Sequence, residues 1–333
     1  MECFFAPGEP ASGGTRPACP GGCCALTSRW IAPWIGAFLV AVLAAPAATH
    51  ATPAGIHADR YASIVLDART GNVLSAANAD EQRHPASLTK MMTLYMLFEA
   101  IRDGRVSMDS PIRFSVEAAS RPPSKLGVPA GGAISAETAI MALVTRSAND
   151  VAAAVGEHLA GNEEAFARAM TSRARSLGMT RTTFRNASGL PDWEQITTAR
   201  DMATLGRRLV SDFPQFYRYF GFTNFAHGRQ VIRNHNGMLH TYEGLDGIKT
   251  GFINASGFNI VTSAQRDGVR LVGAVFGGTS AWTRNTHMAE LLDEGFERMG
   301  VRPRTVALAS AARPGPTLSA ARLAEGRAAP APR

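Results

Sequence analysis

The hexapeptide Pro85-Ala-Ser-Leu-Thr-Lys90 marks the point where a β-rich beginning of the chain gives way to a helical stretch. Upstream, residues 61–67 and 72–76 are rich in β-formers and flank a turn, which predicts a β-hairpin. Downstream, residues 88–102 combine helical spacing with good helix formers. The sequence therefore predicts that Ser87 lies at the N-terminus of a helix that follows directly on a hairpin.

Helices and strands alternate unevenly along the rest of the chain. Further helices are predicted over residues 136–144, 151–159, 163–177 and 198–210, with Thr198 as the N-cap of the last, and the Pro- and Gly-rich stretch 105–134 is predicted to be irregular. The β signal returns at residues 258–264 and 269–276, before a final helix over 283–299. Strands at both ends with helices between them imply a mixed α/β fold, in which both ends of the chain build one sheet.

The beginning of the chain has the pattern of a secretion signal. Arg16 and Arg29 precede an apolar run over residues 30–45, and the small residues of Pro46-Ala-Ala-Thr-His-Ala51 follow. This order predicts that residues 1–51 are a signal peptide and that the protein is exported across the inner membrane. An uncleaved N-terminal anchor is the alternative, although the run is short for a membrane span. The long n-region leaves the true start codon open.

All four cysteines lie within this predicted signal peptide, at positions 3, 19, 23 and 24. A mature chain without cysteine suits an oxidising compartment and excludes a thiol nucleophile. Cys19, Cys23 and Cys24 have no partner cluster at ligand spacing, and the eight histidines include no His-Glu-x-x-His motif. We therefore expect neither a metal nor a cofactor.

The positive charge is concentrated at the end of the chain. Residues 301–333 carry six arginines and one glutamate, out of a net charge of +7 for the whole sequence. No basic face interleaved with aromatic residues is visible in the remainder, so nucleic-acid binding is not expected. The Ala/Pro/Arg-rich tail 301–333 is predicted to be disordered, and its contact with anionic lipid or wall polymer is left open.

Lysine is rare in this chain, since only three of the 34 basic residues are lysines. Arginine serves as well as lysine for a solvated charge, but only lysine can give up its proton and act as a base. Lys90 follows Ser87 by three residues and so shares a helix face with it. A buried lysine amine there could activate the hydroxyl. Taken alone, however, the pair is better explained by an N-cap serine followed by an exposed lysine.

Two later motifs carry the same kind of ambiguity. Lys249-Thr250-Gly251 opens a predicted strand and could present a cation and a hydroxyl to a carboxylate, with Gly251 admitting a substrate backbone. An exposed hairpin edge with a protective lysine is the alternative. Ser147-Ala-Asn149 lies in the break between two predicted helices and could line a cleft or simply cap a helix. Lys125 either borders that cleft or lies on an exposed loop.

Together, the three motifs are far more informative than each alone. Ser-x-x-Lys, Ser-x-Asn and Lys-Thr-Gly occur here in the order and contexts of the penicillin-binding protein and serine β-lactamase superfamily, which the chain resembles. Residues 145–151, 184–191, 197–203, 234–236 and 246–251 are similar to the low-molecular-mass D-Ala-D-Ala carboxypeptidases, peptidase family S11. The likeness runs from about residue 55 to 300. It implies a β-lactamase/transpeptidase-like fold, with an antiparallel sheet flanked by helices and a helical subdomain.

The resemblance also implies a role for each matching residue. Ser87 would be acylated by the penultimate D-Ala carbonyl of a peptidoglycan stem peptide, and Lys90 would take its proton. Ser147 and Asn149 would relay the proton and position the peptide. The implied ligands of the terminal carboxylate are Lys249 and Thr250, beside Gly251, and the implied oxyanion-hole donors are the backbone N–H groups of Ser87 and Phe252.

The signal peptide predicts a periplasmic location, with membrane association left open, and we expect a monomer. The resemblance implies a catalytic domain over residues 52–300 that β-lactam antibiotics inhibit. A DD-endopeptidase that uses the same residues is the alternative. A class A β-lactamase is less favoured, because the second motif is Ser-Ala-Asn and no Glu-containing deacylation loop is recognisable. A non-catalytic wall-binding protein is disfavoured by the intact motifs. Phe252 stands where many relatives carry a polar residue, which leaves the substrate preference open.

Overall fold

The fold was obtained as a computed structural model that describes residues 52–301. The expected signal peptide, 1–51, and all but the first residue of the expected tail, 301–333, lie outside the described residues. The limits of the catalytic domain, 52–300, therefore stay a prediction. Within 52–301, no helix is both long and apolar enough to cross a membrane.

Nine strands and nine α-helices are defined in this part of the chain. The strands are β1 (Ala62–Asp67), β2 (Val73–Ala77), β3 (Pro111–Arg113), β4 (Ala133–Ser135), β5 (Asn224–His227), β6 (Gln230–Arg233), β7 (Leu245–Ile253), β8 (Gly257–Arg266) and β9 (Val269–Gly278). The helices are α1 (Lys90–Arg102), α2 (Val116–Ser120), α3 (Ala136–Thr145), α4 (Asn149–Ala160), α5 (Glu163–Ser176), α6 (Ala199–Asp212), α7 (Pro214–Tyr217), α8 (Met238–Thr241) and α9 (Ala281–Arg298). Short 3₁₀ helices cover Ala86–Thr89 and Arg218–Gly221.

A five-stranded sheet in the order β2-β1-β9-β8-β7 organises the fold. All its neighbouring strands are antiparallel, and β1 pairs with β9 along its whole length. The expected sheet built from both ends of the chain is thus confirmed. Because β1 and β9 are about 200 residues apart in sequence, this pairing closes a long loop that contains every helix except α9.

Both faces of the sheet are covered, as the burial of β1 shows. Every residue of β1 is buried, and successive side chains point to opposite faces. Ile64 belongs to the large core with helices α1 and α6, while Val65 belongs to a smaller core with Met288 and Phe296 of α9. The sheet therefore separates a helical subdomain from a single closing helix.

Local sequence accounts for the main helix boundaries. The hydroxyl of Thr198 accepts a hydrogen bond from the Asp201 amide and caps α6, as expected. Helix α9 begins two residues before its predicted start, because Ser280 and Thr283 form a reciprocal capping box. Ser87 lies in the 3₁₀ turn that leads into α1, so the prediction of a helix N-terminus there is confirmed.

Two parts of the chain differ from the prediction. The stretch 105–134, expected to be irregular, contains β3, α2 and β4, and the predicted elements left out the β5–β6 hairpin and α7 and α8. These elements are three to five residues long, which is too short for a hydrophobic period to show. The break before α4 is also narrower than expected, because α4 already begins at Asn149.

Candidate active site

Ser87 is held at a tight crossing of three chain segments. The preceding Ala86 has a φ of +49°, in the left-handed region that residues other than glycine rarely occupy. A Cβ on Gly189 would overlap the Ala86 carbonyl oxygen, and a Cβ on Gly251 would lie 3.1 Å from the Ser87 amide nitrogen. Glycine at these two positions therefore lets the 186–190 loop and strand β7 close on the turn that carries Ser87.

Lys90 lies one turn into the helix and is fully buried. Its ammonium donates hydrogen bonds to Ser87 Oγ at 3.2 Å, to Asn149 Oδ1 at 2.7 Å and to the Ser188 carbonyl oxygen at 2.5 Å. Three acceptors satisfy the three protons of an ammonium group. The alternative of an exposed lysine beside a capping serine is therefore wrong for this pair.

The surroundings of Lys90 make it easier to deprotonate than an ordinary lysine. Burial lowers the pKa of Lys90 well below its ordinary value, and the positive charge of Lys249 lowers it further. The carboxylates of Glu163 and Asp150 raise the pKa and offset part of that shift. A lysine that loses its proton readily, with its nitrogen beside a serine hydroxyl, can act as a general base toward that hydroxyl.

The second motif brings one oriented and one unpartnered group into the cleft. Asn149 donates from Nδ2 to the Pro122 carbonyl oxygen at 3.0 Å, which turns its Oδ1 toward Lys90. Ser147 has a φ of +57°, and its buried Oγ finds no hydrogen-bond partner among the described residues. The N-cap of α4 is Ala148, which offers no side-chain cap, so the capping alternative for Ser147 and Asn149 is wrong.

Strand β7 places the third motif on the opposite wall. Lys249 is buried and donates to the backbone oxygen of Thr250 at 2.9 Å, while Thr250 itself faces the cleft. Burial, with the charge of Arg284 as a second cause, lowers the pKa of Lys249 to about 7. Lys249 is therefore not the protective lysine of an exposed edge. It lies behind Thr250 rather than on the surface of the cleft.

Two further basic residues of the site were not among the candidates from sequence. Arg284, in the first turns of α9, is almost fully buried, donates to the Asn259 carbonyl oxygen at 2.6 Å and lines the cleft. Burial lowers the pKa of its guanidinium to about 10. His235 also lines the cleft with part of its surface exposed, and partial desolvation there, helped by the charge of Lys249, lowers its pKa to about 4. His235 is thus neutral at ordinary pH.

The cleft lies between a helical wall, which carries Ser87, Lys90, Ser147 and Asn149, and a strand wall formed by β7, and it has a volume of about 460 Å³. Of the candidate residues, it is lined by Ser87, Ser147, Asn149, Thr250, Gly251 and Phe252, whereas Lys90 and Lys249 lie behind its surface. Lys125 is not among the lining residues, and its ammonium donates to the Ala119 carbonyl oxygen at 2.6 Å. An apolar edge, formed by Leu190, Pro191, Phe252, Ile253 and Phe258, borders the polar centre. The arrangement can hold an anionic, amide-containing ligand against a serine hydroxyl.

This fold and this arrangement of motifs define the class of penicillin-binding proteins. Penicillin-binding protein 5 from Haemophilus influenzae superposes with a TM-score of 0.70 at 30% identity, over 74% of this chain and 73% of that one. The cefotaxime-bound penicillin-binding protein D2 from Listeria monocytogenes superposes with a TM-score of 0.63 at 28% identity, over 74% of this chain and 100% of that one. The β-lactamase/transpeptidase-like fold is thereby confirmed.

Sequence comparison identifies the family within that class. The family model of D-alanyl-D-alanine carboxypeptidases, peptidase family S11, matches residues 47–280, and the chain belongs to this family. D-alanyl-D-alanine carboxypeptidase DacA of Escherichia coli is 34% identical over 248 residues, and DacF of Bacillus subtilis is 29% identical over 246. The matched region is 72% of this chain in both cases, but only 61% and 63% of the two relatives.

Proposed function

We propose that this protein is a serine-type D-Ala-D-Ala carboxypeptidase that removes the terminal D-Ala from peptidoglycan stem peptides. The observation that carries the proposal is the 3.2 Å contact between Ser87 Oγ and the buried amine of Lys90, at the base of a cleft lined by the two other motifs. Membership of the S11 family and relatives named D-alanyl-D-alanine carboxypeptidases support it.

Acylation begins at Ser87. Neutral Lys90 takes the hydroxyl proton as Oγ attacks the carbonyl carbon of the penultimate D-Ala, and the backbone N–H groups of Ser87 and Phe252 stabilise the developing oxyanion. The peptide C–N bond then breaks, and the departing D-Ala amine receives the proton by way of Ser147. The unpartnered Ser147 hydroxyl is suited to this relay, because it has no competing partner among the described residues.

Deacylation returns the enzyme to its starting state. A water molecule gives its proton to Lys90 and adds to the acyl carbon, and the ester bond to Ser87 Oγ breaks. Ser87 Oγ recovers a proton from Lys90, and the shortened peptide leaves with a new carboxylate. Asn149 serves both steps, because it holds the Lys90 ammonium through Oδ1.

The substrate carboxylate is recognised on the strand wall. Thr250 and Arg284 face the cleft directly, and Lys249 adds positive charge from behind Thr250. Three groups of this kind favour a free carboxylate at the end of the peptide, because a charged group is stabilised by donors that are already desolvated. β-Lactams carry a comparable carboxylate beside a strained amide and would acylate Ser87, in keeping with the cefotaxime-bound relative.

The proposed place of action is the periplasm, on cell-wall substrate. The positive flank, apolar run and small residues of segment 1–51 support export, as do relatives named for an activity on D-alanyl-D-alanine. We propose that the mature enzyme works as a monomer, since one chain supplies every residue of the proposed site. We further propose that it needs no metal or cofactor, because the serine mechanism uses neither.

Release of free D-Ala from a synthetic pentapeptide that ends in D-Ala-D-Ala tests the activity. We expect steady release by the mature chain and none by Ser87→Ala. Ser176→Ala, at the end of α5 on the exposed surface, is the matched control and should retain full activity. Preferential cleavage of cross-linked dimers over the pentapeptide would assign the same site to a DD-endopeptidase instead.

A further inference from the structure

Arg121 and Glu163 form an ion pair behind the helical wall of the cleft. Arg121 Nη2 lies 2.5 Å from Glu163 Oε2, and the Glu163 side chain is 9% exposed. Arg121 is the C-cap of α2, and Glu163 is the first residue of α5. Neither residue lines the cleft, so neither can touch a substrate there.

The glutamate end of the pair holds one acceptor of Lys90. Glu163 Oε1 accepts a hydrogen bond from the Ala187 amide at 2.9 Å. The carbonyl oxygen of the next residue, Ser188, accepts from the Lys90 ammonium at 2.5 Å. The hydroxyl of Thr93 donates to the Ala187 carbonyl oxygen at 2.6 Å, so this part of the loop is fixed on both sides.

The arginine end adjoins a second acceptor of Lys90. The residue after Arg121 is Pro122, whose carbonyl oxygen accepts from Asn149 Nδ2 at 3.0 Å. That bond fixes the amide so that Oδ1 receives the Lys90 ammonium at 2.7 Å. The ion pair therefore joins the two segments that supply Lys90 with its Asn149 and Ser188 acceptors.

We propose that the Arg121–Glu163 ion pair is a positioning device that sets the geometry of Lys90 toward Ser87. The inference rests on the proposed function, since it assigns to Lys90 the proton transfer of acylation. Lys90 reaches Ser87 at the correct angle only if its other two acceptors stay in place. Displacement of a catalytic group by about 1 Å costs on the order of 100-fold in rate.

The charge of Glu163 also affects the pKa of Lys90, which a merely structural contact would not change. Burial and Lys249 lower the pKa of Lys90, whereas the carboxylates of Glu163 and Asp150 raise it. His235 lies near the same lysine but is neutral above about pH 4. Removal of the Glu163 charge should therefore lower the pKa of Lys90, and the acid limb of the acylation rate should move to lower pH.

The test is the rate of acylation by benzylpenicillin, measured by intact-protein mass against pH. Glu163→Ala should lower the rate about 100-fold. Glu163→Gln keeps an acceptor for the Ala187 amide, so we expect it to be only about tenfold slower than wild type, with its acid limb at lower pH. Arg121→Ala removes the pairs with Glu163 and Glu117 but leaves Glu163 to accept from the Ala187 amide, so its rate should resemble that of Glu163→Gln, without the shift of the acid limb to lower pH. The Arg121→Ala/Glu163→Ala double variant should lose no more than Glu163→Ala, because the contact between the two residues is already lost there.

Glu164→Ala is the matched control, because Glu164 is the next residue of α5 and forms an exposed ion pair with Arg168. It should acylate at the wild-type rate. Thermal unfolding confirms which variants are folded. A folded Glu163→Ala within about threefold of wild type, a Glu163→Gln no faster than Glu163→Ala, or an unmoved acid limb would each overturn the positioning role.

Acylation of the wild-type chain distinguishes failure of the positioning role from failure of the proposed function. Normal acylation of Ser87 in wild type with unchanged rates in the variants would leave the proposed function standing and sink the positioning role. No acylation of the wild-type chain at all would sink both.

Discussion

The two walls of the cleft each bury a lysine, but they surround it differently. On the helical wall, Lys90 has three hydrogen-bond acceptors and two carboxylates nearby, those of Asp150 and Glu163. On the strand wall, Lys249 donates to the Thr250 carbonyl oxygen and faces the cation of Arg284. The helical wall is built to hold a proton in one position, and the strand wall is built to present positive charge.

This difference separates two roles that the same residue type can play. A base must change its charge during the reaction, so its surroundings have to tolerate both the ammonium and the amine. A cation that binds a carboxylate must keep its charge. Two such cations buried side by side repel each other until the substrate carboxylate binds between them. The substitutions that follow should therefore affect the two walls unequally.

The largest effect is expected from Lys90→Arg. Arginine keeps the positive charge but does not lose its proton in a protein, so it cannot take the proton of Ser87. We expect acylation by benzylpenicillin to fall by about 100- to 10,000-fold, the usual contribution of a general base. Thermal unfolding checks that the variant is folded, and near-normal acylation in a folded Lys90→Arg would exclude Lys90 as the base.

A glycine pair tests the geometry of the helical wall. Gly189 and Gly178 have nearly the same backbone conformation, with φ of +86° and +89°, but only at Gly189 does a Cβ meet other atoms, those of the Ala86 carbonyl. Gly178→Ala should lose about 1 kcal/mol of stability from its conformation and keep its activity. Gly189→Ala should lose more stability and also acylate about 100-fold more slowly, because the turn of Ser87 must move.

Denaturant unfolding and acylation rates measure both effects in this pair. Equal stability losses in the two variants, with normal acylation in both, would show that the approach of Gly189 to Ala86 does not position Ser87.

A smaller effect is expected on the strand wall. Lys249→Met removes a charge behind Thr250, so it should weaken binding of the substrate carboxylate. The same charge lowers the pKa of Lys90, so the acid limb should also move to higher pH in this variant. Loss of one charged interaction is worth about 10- to 100-fold in kcat/KM. In D-Ala release assays above the acid limb the loss should appear mainly in KM, and a drop confined to kcat there would instead place Lys249 in the chemical step.

The pH dependence of acylation should report on both lysines. Acylation should rise with pH as Lys90 loses its proton, and should fall as Lys249, with a pKa of about 7, loses the charge that binds the carboxylate. Lys249→Arg should remove the alkaline fall and keep the acid limb, because arginine stays charged. Stopped-flow acylation from pH 5 to 9 measures both limbs, and an alkaline fall that persists in Lys249→Arg would mean that another group titrates.

Sequence alone was sufficient for the frame of the molecule. The β1–β2 hairpin, helix α1, helices α3 to α6 and the paired strands β8 and β9 follow from local periodicity and turn residues, and the three motifs predicted the cleft. The rarity of lysine helped, because a lysine stands out in a chain with 31 arginines. Arginine cannot replace a lysine that must lose its proton.

The abundance of arginine made the other cations of the site impossible to predict from sequence. In the sequence, Arg284 cannot be distinguished from the other arginines of amphipathic helices. Only the packing of α9 against the sheet shows that it is buried beside Lys249. The pairing of Arg121 with Glu163, 42 positions apart, depends on how α2 and α5 meet. Contacts of this kind are set by tertiary packing, which no local pattern of residues encodes.

We propose Ser87 as the nucleophile, and the position of a covalent adduct on the chain shows whether it is. The mature chain would be treated with benzylpenicillin, digested and analysed by peptide mass spectrometry. We predict a penicilloyl mass on the peptide that contains Ser87, and no adduct in Ser87→Ala. An adduct on any other residue, or an unmodified wild-type chain, would exclude Ser87 as the nucleophile.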